Sequence, residues 1–333
     1  MVRGLILGTH ADKSRNIVLA NTENKSTANT PDVVGIIGLG AMGAGIAKTL
    51  ARAGYSLRVC DARPGAATAF QDSTPHSIAC TSPSDAAKAS SVVISVVINA
   101  EQTESVLFGT NGCAATMRKG SVFVMCSTVA PQVSIDFETR LNALGIHYID
   151  APISGGAAKA AAGEMTVMSS AKPEAYTACN KVLDAMAGKV YRLGDSAGKG
   201  STVKIINQLL AGVHIAAAAE AMALGLREGV EASALFEVIT NSAGNSWMFE
   251  NRMAHVINQT LQGTVTDSGT RVNSAVDIFV KDLGLVLDTA RASKFPLPLA
   301  AAAHQQFMHA SSAGFGKQED AAVIKVFPGI SLP

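Results

Sequence analysis

The stretch of sequence that decides the fold is Val33-Val34-Gly35-Ile36-Ile37-Gly38-Leu39-Gly40-Ala41-Met42-Gly43-Ala44-Gly45-Ile46-Ala47. An apolar run of strand character breaks into three glycines spaced G-x-G-x-x-G, and residues 44–53 continue with helical character. Gly38 permits a sharp turn, Gly40 removes a side chain where a pyrophosphate must approach the backbone, and Gly43 allows close helix packing. Free N–H groups at the helix start then face the phosphates. The pattern predicts a strand, a tight turn and a helix that bind a dinucleotide.

The residues after the turn support this interpretation. The helix closes at Gly54, a second apolar strand follows over residues 56–60, and that strand ends in Asp61. An acid about 20 residues beyond the glycines is expected to bind the ribose hydroxyls. Because a carboxylate repels a 2′-phosphate, Asp61 predicts NAD as the cofactor, and nearby Arg63 acts against that preference. The alternative, a structural turn followed by a chance acid, is disfavoured by the full pattern.

Composition excludes several classes of protein. The 333 residues are 48% hydrophobic and 16% charged, which predicts a core-rich chain long enough for two domains. A net charge of +1 without a basic run argues against a nucleic-acid partner. The five cysteines and seven histidines are scattered without metal-ligand spacing, so we expect no metal and cysteines that are reduced core residues.

The longest apolar segment, residues 205–226, has the length of a membrane span. Asn207, Gln208, His214 and Glu220 interrupt it, so a buried helix at a domain or subunit interface fits better. We therefore expect no membrane association and a cytoplasmic location. An Ala216–Ala219 run in the same segment permits close helix packing and indicates a homodimer or homotetramer.

The order of elements predicts an α/β chain in which a Rossmann-type doubly wound sheet domain, residues 32–194, precedes an all-α domain, residues 195–333. Residues 1–31 are polar and are expected to be a disordered extension. Strands are predicted at 33–37, 56–60, 91–97, 121–126, 147–150, 165–168 and 189–193, with helices at 101–108, 131–144 and 173–187. Helices of the second domain are predicted at 200–228, 231–241, 246–256, 274–293, 298–312 and 319–326.

Three segments follow predicted strands at the edge where such sheets bind ligands. They are Val97-Ile98-Asn99, Cys126-Ser127-Thr128 and Asp150-Ala151-Pro152-Ile153-Ser154-Gly155-Gly156. In the last, Ser154, Gly155 and Gly156 leave backbone N–H groups accessible, which suits a substrate carboxylate. A flexible turn is the alternative, and the position after a sheet strand disfavours it.

The long helix carries the candidate for proton transfer. Lys204, Asn207 and Gln208 lie on one face, so an amine stands beside two amides. Lys204 opens an almost uncharged apolar helix, and burial there would lower its pKa and make it a usable proton acceptor. Lys281-Asp282 is a second candidate, with a surface ion pair as its alternative.

With these motifs in order, the chain resembles the β-hydroxyacid dehydrogenase family, which includes 3-hydroxyisobutyrate dehydrogenases and tartronate semialdehyde reductases. The resemblance runs from Val33 to the C-terminus and is carried by Gly38–Gly43, by residues 150–156, by the segment from Gly198 to Gln208 and by Lys281-Asp282-Leu283. It implies that Lys204 is catalytic, that Asn207 or Gln208 supports it, and that residues 154–156 bind the substrate carboxylate. It also implies cofactor neighbours in the glycine-rich turn, at the ends of the strands and at the second lysine candidate. These residues are Gly38, Leu39, Gly40, Ala41, Met42, Gly43, Asp61, Ala62, Val97, Ile98, Thr128 and Lys281.

The segments 207–215 and 242–252 look like the branch of that family that oxidises the C2 hydroxyl of L-threonate with NAD. This likeness implies that Trp247, Met248 and Phe249 help to shape the substrate pocket. One departure is Val97-Ile98, where the family often has Leu-Pro. Alternatives of the same chemistry are 3-hydroxyisobutyrate oxidation and tartronate semialdehyde reduction, and a non-catalytic dinucleotide sensor is the alternative of another class.

Overall fold

The structure, a computed structural model, describes residues 33–266 and 269–333. The strands of its main sheet are β1 Val33–Ile37, β2 Ser56–Cys60, β3 Ser77–Ala79, β4 Val92–Ser95, β5 Val122–Met125 and β6 His147–Asp150. Within the described residues they form a six-stranded parallel sheet in the order β3-β2-β1-β4-β5-β6. The order reverses between β1 and β4, as in a doubly wound dinucleotide-binding sheet, so the predicted fold class is confirmed. The predicted extension 1–31 lies outside the described residues.

Helices connect these strands, and their ends follow from local signals. They are α1 Ala41–Arg52, α2 Ala66–Ser73, α3 Pro83–Ala87, α4 Ala100–Phe108 and α5 Pro131–Ala143. Asn99 caps α4 because its Oδ1 accepts the N–H of Gln102 at 2.8 Å. Proline opens α3 and α5, where its missing N–H is not needed. Consecutive strand residues such as Ile36 and Ile37 belong to separate apolar clusters, so both faces of the sheet are covered.

Two of the predicted strands form a separate sheet. It contains β7 Ile153–Ser154, β8 Thr166–Ser169 and β9 Lys189–Arg192, with α6 Gly156–Ala162 and α7 Pro173–Met186 between them. Segments 165–168 and 189–193 were expected in the parallel sheet. After β6 the chain turns through Pro152, and Ile153 pairs antiparallel with Val167, which starts a second ladder. A single bridge between Asp150 and Ser170 joins the two sheets.

The described residues from 199 onward are helical apart from one antiparallel pair of short strands. Its elements are α8 Lys199–Arg227, α9 Ala232–Thr240, α10 Trp247–Ile257, β10 Thr264–Thr266, β11 Gly269–Arg271, α11 Val276–Ala292, α12 Pro298–Ala310, a π-helical turn Ser311–Phe315 and a 3₁₀ helix Asp320–Val326. The predicted helices are confirmed to within a few residues. The antiparallel pair β10–β11 corrects the expectation of helices alone, because three residues per strand are too few for a period-two signal. The domain division at 194/195 stays a prediction.

Helix α8 is the central element of the second half. Its buried face packs against α10, α11 and α12, and the shared core includes Ile215, Met222, Phe279 and Phe307. In length and mean hydropathy, 1.7, α8 resembles a membrane span, and 44% of its most apolar window is buried inside the fold. The core helix of a folded domain meets the same criteria, and α8 lies where such a helix would.

Candidate active site

The glycine-rich turn has the geometry that the motif predicts. Gly38 has φ +94°, and a Cβ there would lie 2.5 Å from the carbonyl oxygen of Val96. A Cβ on Gly43 would lie 1.9 Å from the carbonyl oxygen of Gly38, whereas one on Gly40 would meet nothing within 4 Å. No side chain caps α1 and its first turn carries no acid, so its N–H groups remain available. Open space at Gly40 before an uncapped helix end fits a pyrophosphate.

Asp61 stands beside this turn, and both of its carboxylate oxygens are engaged. Oδ2 accepts the N–H of Leu39 at 2.6 Å, and Oδ1 accepts the N–H and Nε–H of Arg63 at 2.8 and 2.9 Å. Burial acts to raise the pKa of Asp61, but the hydrogen bonds from Arg63 and Leu39 outweigh it and lower the pKa. Asp61 is thus a firmly held anion, next to exposed Ala62 and an Arg63 side chain that is 63% exposed.

The next two strand ends lie along the same edge of the sheet. Val97 packs on the turn, since its Cγ1 is 3.3 Å from where a Cβ on Gly38 would stand, and Ile98 is 52% exposed. Thr128 is half-buried, and its carbonyl oxygen accepts the Nζ–H of Lys281 at 3.5 Å. The predicted cofactor neighbour on α11 therefore reaches the carboxyl edge of the sheet.

Lys204 lies at the centre of a buried polar network. Its Nζ donates to Oε1 of Gln208 at 2.9 Å, and Nε2 of Gln208 donates to Oδ2 of Asp282 at 2.5 Å. Oδ1 of Asp282 is 2.5 Å from Nζ of Lys281, and the two side chains are 2% and 22% exposed. We call these four residues the Lys204 network. Asp282 is therefore buried and Lys281 half-buried, so this ion pair is part of the network and does not stand free on the helix surface.

Both amides that follow Lys204 take part, in different ways. Gln208 contacts the lysine directly, whereas Nδ2 of Asn207 donates to the same Oε1 of Gln208 at 3.1 Å. Oε1 thus accepts twice while Nε2 donates to a carboxylate, an arrangement that fixes which way the amide points. Gln208 is the amide that holds Lys204, and Asn207 holds Gln208.

Burial makes Lys204 a base near neutral pH. Desolvation lowers the pKa of Lys204 to about 8, with a further decrease from the charge of Lys281 and an opposing increase from Asp282. The side chain is 7% exposed, so water solvates little of it. A lysine with a pKa close to the working pH can both accept and return a proton.

The predicted carboxylate loop follows β6 directly. Ser154 is half-buried, and Gly155 and Gly156 have φ +137° and +75°, conformations that favour glycine. Helix α6 begins here and packs on α1 closely enough that a Cβ on Gly45 would lie 2.8 Å from the Cβ of Ala160. The loop is therefore attached to the helix that starts at the glycine-rich turn.

Of the three residues on α10 predicted to shape a pocket, one lies in the core. Phe249 is 3% exposed and stacks on Phe236 with 5.9 Å between ring centroids, so its part in the pocket stays a prediction. Met248 is half-buried against the helical core, and Trp247 is 53% exposed. The guanidinium of Arg252 lies 5.9 Å from the Trp247 ring centroid.

Two links in the site have no local signal in the sequence. The hydrogen bond from Gln208 to Asp282 joins residues 74 apart, and the bond from Ser201 to Asp150 joins residues 51 apart. From the sequence, each of the two acids could be connected with the site only because it stands inside a motif that carries the family resemblance. The five cysteines are buried, and among the described residues no group of three His, Cys, Asp or Glu side chains could hold a metal ion.

Comparison with known proteins gives one family. Residues 33–194 match the NAD-binding domain of 6-phosphogluconate dehydrogenase, and residues 198–327 match the NAD-binding region of NADP-dependent 3-hydroxyisobutyrate dehydrogenase. The chain is 58% identical to an L-threonate dehydrogenase of Cupriavidus necator over 90% of this chain and 97% of that relative. It is 49% identical to an L-threonate dehydrogenase of Escherichia coli strain K12, over 90% and 96%.

A solved structure is similar over the same range. It is a 3-hydroxyisobutyrate dehydrogenase from Salmonella typhimurium, 49% identical, with a TM-score of 0.82 over 89% of this chain and all of that chain. These matches identify an enzyme that binds a nicotinamide dinucleotide and oxidises a hydroxy acid. The chain belongs to the β-hydroxyacid dehydrogenase family related to 3-hydroxyisobutyrate dehydrogenase, in the branch that contains the L-threonate dehydrogenases.

Proposed function

We propose that this protein oxidises the C2 hydroxyl of L-threonate to 2-oxo-tetronate with NAD, in the breakdown of sugar acids. The observation that carries the chemistry is the buried amine of Lys204, held by Gln208 and poised near neutral pH. The choice of substrate rests on relatives at 58% and 49% identity that are named L-threonate dehydrogenases. The solved relative at 49% identity supports 3-hydroxyisobutyrate as the second candidate, and tartronate semialdehyde stays the third.

In this proposal the turn at Gly38–Gly43 and Asp61 would hold the nicotinamide cofactor, which would supply the acceptor for the hydride from the carbon that carries the hydroxyl. The backbone N–H groups of residues 154–156 bind the substrate carboxylate and orient the molecule. Neutral Lys204 accepts the hydroxyl proton at Nζ, while Gln208 keeps the amine in place. In the reverse direction the ammonium of Lys204 polarises the carbonyl and returns the proton. Trp247, the most exposed of the three residues 247–249, contributes to the substrate pocket from α10.

The substrate is tested by following NADH formation with L-threonate, D-threonate, D-erythronate, D-glycerate and 3-hydroxyisobutyrate. Saturable turnover with L-threonate alone supports the proposal and C2 as the reacting carbon. A preference for 3-hydroxyisobutyrate would contradict the substrate and leave the chemistry intact. Absence of turnover throughout, with NADH bound, would favour the dinucleotide sensor.

For the cofactor, we propose that Asp61 selects NAD. Replacing Asp61 by alanine removes the acceptor of the ribose hydroxyls and frees Arg63, now tied to that carboxylate, to bind a 2′-phosphate. We expect the ratio of kcat/KM for NAD over NADP to fall by about 10- to 100-fold, the range for hydrogen bonds to charged groups. Steady-state kinetics with both cofactors measure it.

The double variant Asp61→Ala/Arg63→Ala separates the two contributions. It should lose the gain with NADP, because the guanidinium that would bind the phosphate is gone. Asp72→Ala, at an exposed acid on α2, is the matched control and should leave the ratio unchanged. An unchanged ratio in Asp61→Ala would show that another group selects the cofactor.

We further propose a homo-oligomer, a dimer or a tetramer, in the cytoplasm. The first turns of α8 expose Val203, Ile206 and Leu210 at spacings of three and four residues, and Leu224 is exposed near the end of the helix, each between 37% and 61%. Exposed apolar side chains grouped on a helix are typical of a surface covered by another subunit. A solution mass of 34.2 kDa, that of one chain, would contradict the oligomer.

A further inference from the structure

Asp150 is the last residue of β6, and its side chain accepts hydrogen bonds from the start of helix α8. It is fully buried, and its Oδ2 accepts the N–H groups of Gly198 and Ser201 at 2.9 and 2.8 Å. Its Oδ1 accepts the hydroxyl of Ser201 at 2.7 Å. One buried carboxylate therefore takes three hydrogen bonds from the first turn of α8 and the residue that caps it.

Ser170 completes the arrangement. Its Oγ accepts the N–H of Gly200 at 2.9 Å and donates to Oδ2 of Asp150 at 3.3 Å. The backbones of Asp150 and Ser170 also exchange hydrogen bonds, at 3.1 and 2.8 Å. A Cβ on Gly200 would lie 2.5 Å from the carbonyl oxygen of Met168 and 2.9 Å from that of Asp150, so the helix end meets both sheets at backbone contact. We call Asp150, Ser170 and residues 198–201 the helix clamp.

The clamp lies one helical turn from the catalytic lysine. Lys204 follows Ser201 by three residues, and a helix repeats every 3.6 residues, so any shift of the first turn moves the root of the lysine side chain. Asp150 also lies four residues before Ser154, the first residue of the proposed carboxylate loop. The proposed base and the proposed carboxylate site are therefore both anchored at one residue.

We propose that Asp150 is a positioning residue for the hydroxy acid oxidation, which places Lys204 against the substrate by fixing the first turn of α8 to the carboxyl edge of the sheet. It does not touch the reacting atoms. The charges that act on Lys204 are those of Asp282 and Lys281, so the effect of Asp150 is geometric. Displacement of a reacting group by about 1 Å costs on the order of 10²-fold in rate.

The test compares Asp150→Ala with Asp150→Asn. Alanine removes every acceptor, whereas one oxygen of asparagine can still accept both backbone N–H groups, and its amide can donate to the hydroxyl of Ser201. In single-turnover experiments at saturating NAD and substrate, we expect the rate constant for NADH formation to fall by about 10²-fold in Asp150→Ala. Asp150→Asn should stay within about tenfold of the wild type.

A control separates positioning from loss of fold. Glu319→Ala removes another fully buried carboxylate that accepts two backbone N–H groups, those of Asn273 and Ser274, just before α11. Unfolding lowers the amplitude of a single turnover but leaves its rate constant unchanged. Glu319→Ala should therefore lose stability and amplitude only. An unchanged rate constant in Asp150→Ala, or an equal fall in Glu319→Ala, would overturn the proposal.

A second readout does not depend on turnover. Amide hydrogen exchange over residues 198–204 should become faster in Asp150→Ala and remain slow in Asp150→Asn, and equal exchange in the two variants contradicts the clamp. The inference rests on the proposed function for its substrate, so the wild type is assayed first. Failure of the wild type on the acid panel would contradict the proposed function, and the exchange data would still decide whether the clamp holds α8.

Discussion

Replacing Lys204 by methionine is expected to lower kcat for hydroxy acid oxidation by about 10²- to 10⁴-fold, the range for loss of a general base. Methionine keeps the length of the side chain and its apolar stem but has no proton acceptor. The affinity for NADH should be unchanged, because the predicted cofactor contacts lie on the sheet edge and α11. Initial rates and a titration of NADH fluorescence measure the two quantities.

Lys181→Met is the matched control. Lys181 is exposed on α7, outside the site and the helix clamp, so the same substitution there should leave kcat within about twofold, as for most surface changes. Unchanged NADH affinity in Lys204→Met will show that the loss of activity does not reflect unfolding. Retained turnover in Lys204→Met would contradict the assignment of the base.

The same lysine sets the expected pH dependence. Oxidation needs neutral Lys204, so kcat/KM should rise tenfold per pH unit below the pKa of about 8 and level off above it. Reduction needs the ammonium form, so its rate should fall as the pH rises through the same value. A profile for oxidation that is flat between pH 6 and 9, a range that includes that pKa, would contradict a lysine base.

The parts of the fold that sequence predicts well are those whose signals are local. The turn at Gly38–Gly43 and the acid at the end of β2 need only a spacing, and the boundaries of α5 and α7 follow from a proline at their first turn. Strands β3, β7, β10 and β11 were missed because each has two or three residues, too few to show a period.

The residues of the site also divide into those that have a local signal in the sequence and those that do not. Lys204 is noticeable in sequence because it lies in an almost uncharged apolar segment, but Asp282, which is linked to it through Gln208, is brought there by the packing of α11 on α8. Sequence left open whether Asn207 or Gln208 supports the lysine, since both lie on the same face. The structure distinguishes them because only Gln208 also has Asp282 as a partner for its amide nitrogen.

Asp282→Asn is expected to change both the stability of the protein and the pKa of its base. Asparagine can still accept from Gln208, but its amide nitrogen then faces Lys281, whose half-buried ammonium loses its counter-charge. We expect the free energy of unfolding to fall by about 2 to 3 kcal/mol, below the full cost of a broken buried pair because Lys281 is 22% exposed. Urea unfolding followed by circular dichroism measures it.

The expected shift in pH dependence has a definite sign. Asp282 raises the pKa of Lys204, so neutralising it should lower that pKa, and the rise of kcat/KM for oxidation should move to lower pH. Asp288→Asn is the control on the same helix, since Asp288 pairs with Arg291 at 2.9 Å with both side chains mostly exposed. That variant should cost at most about 1 kcal/mol and leave the profile in place. A profile of Asp282→Asn that stays at the wild-type pH, or moves upward, would show that Asp282 does not act on the base, and the Lys204 network would then be structural alone.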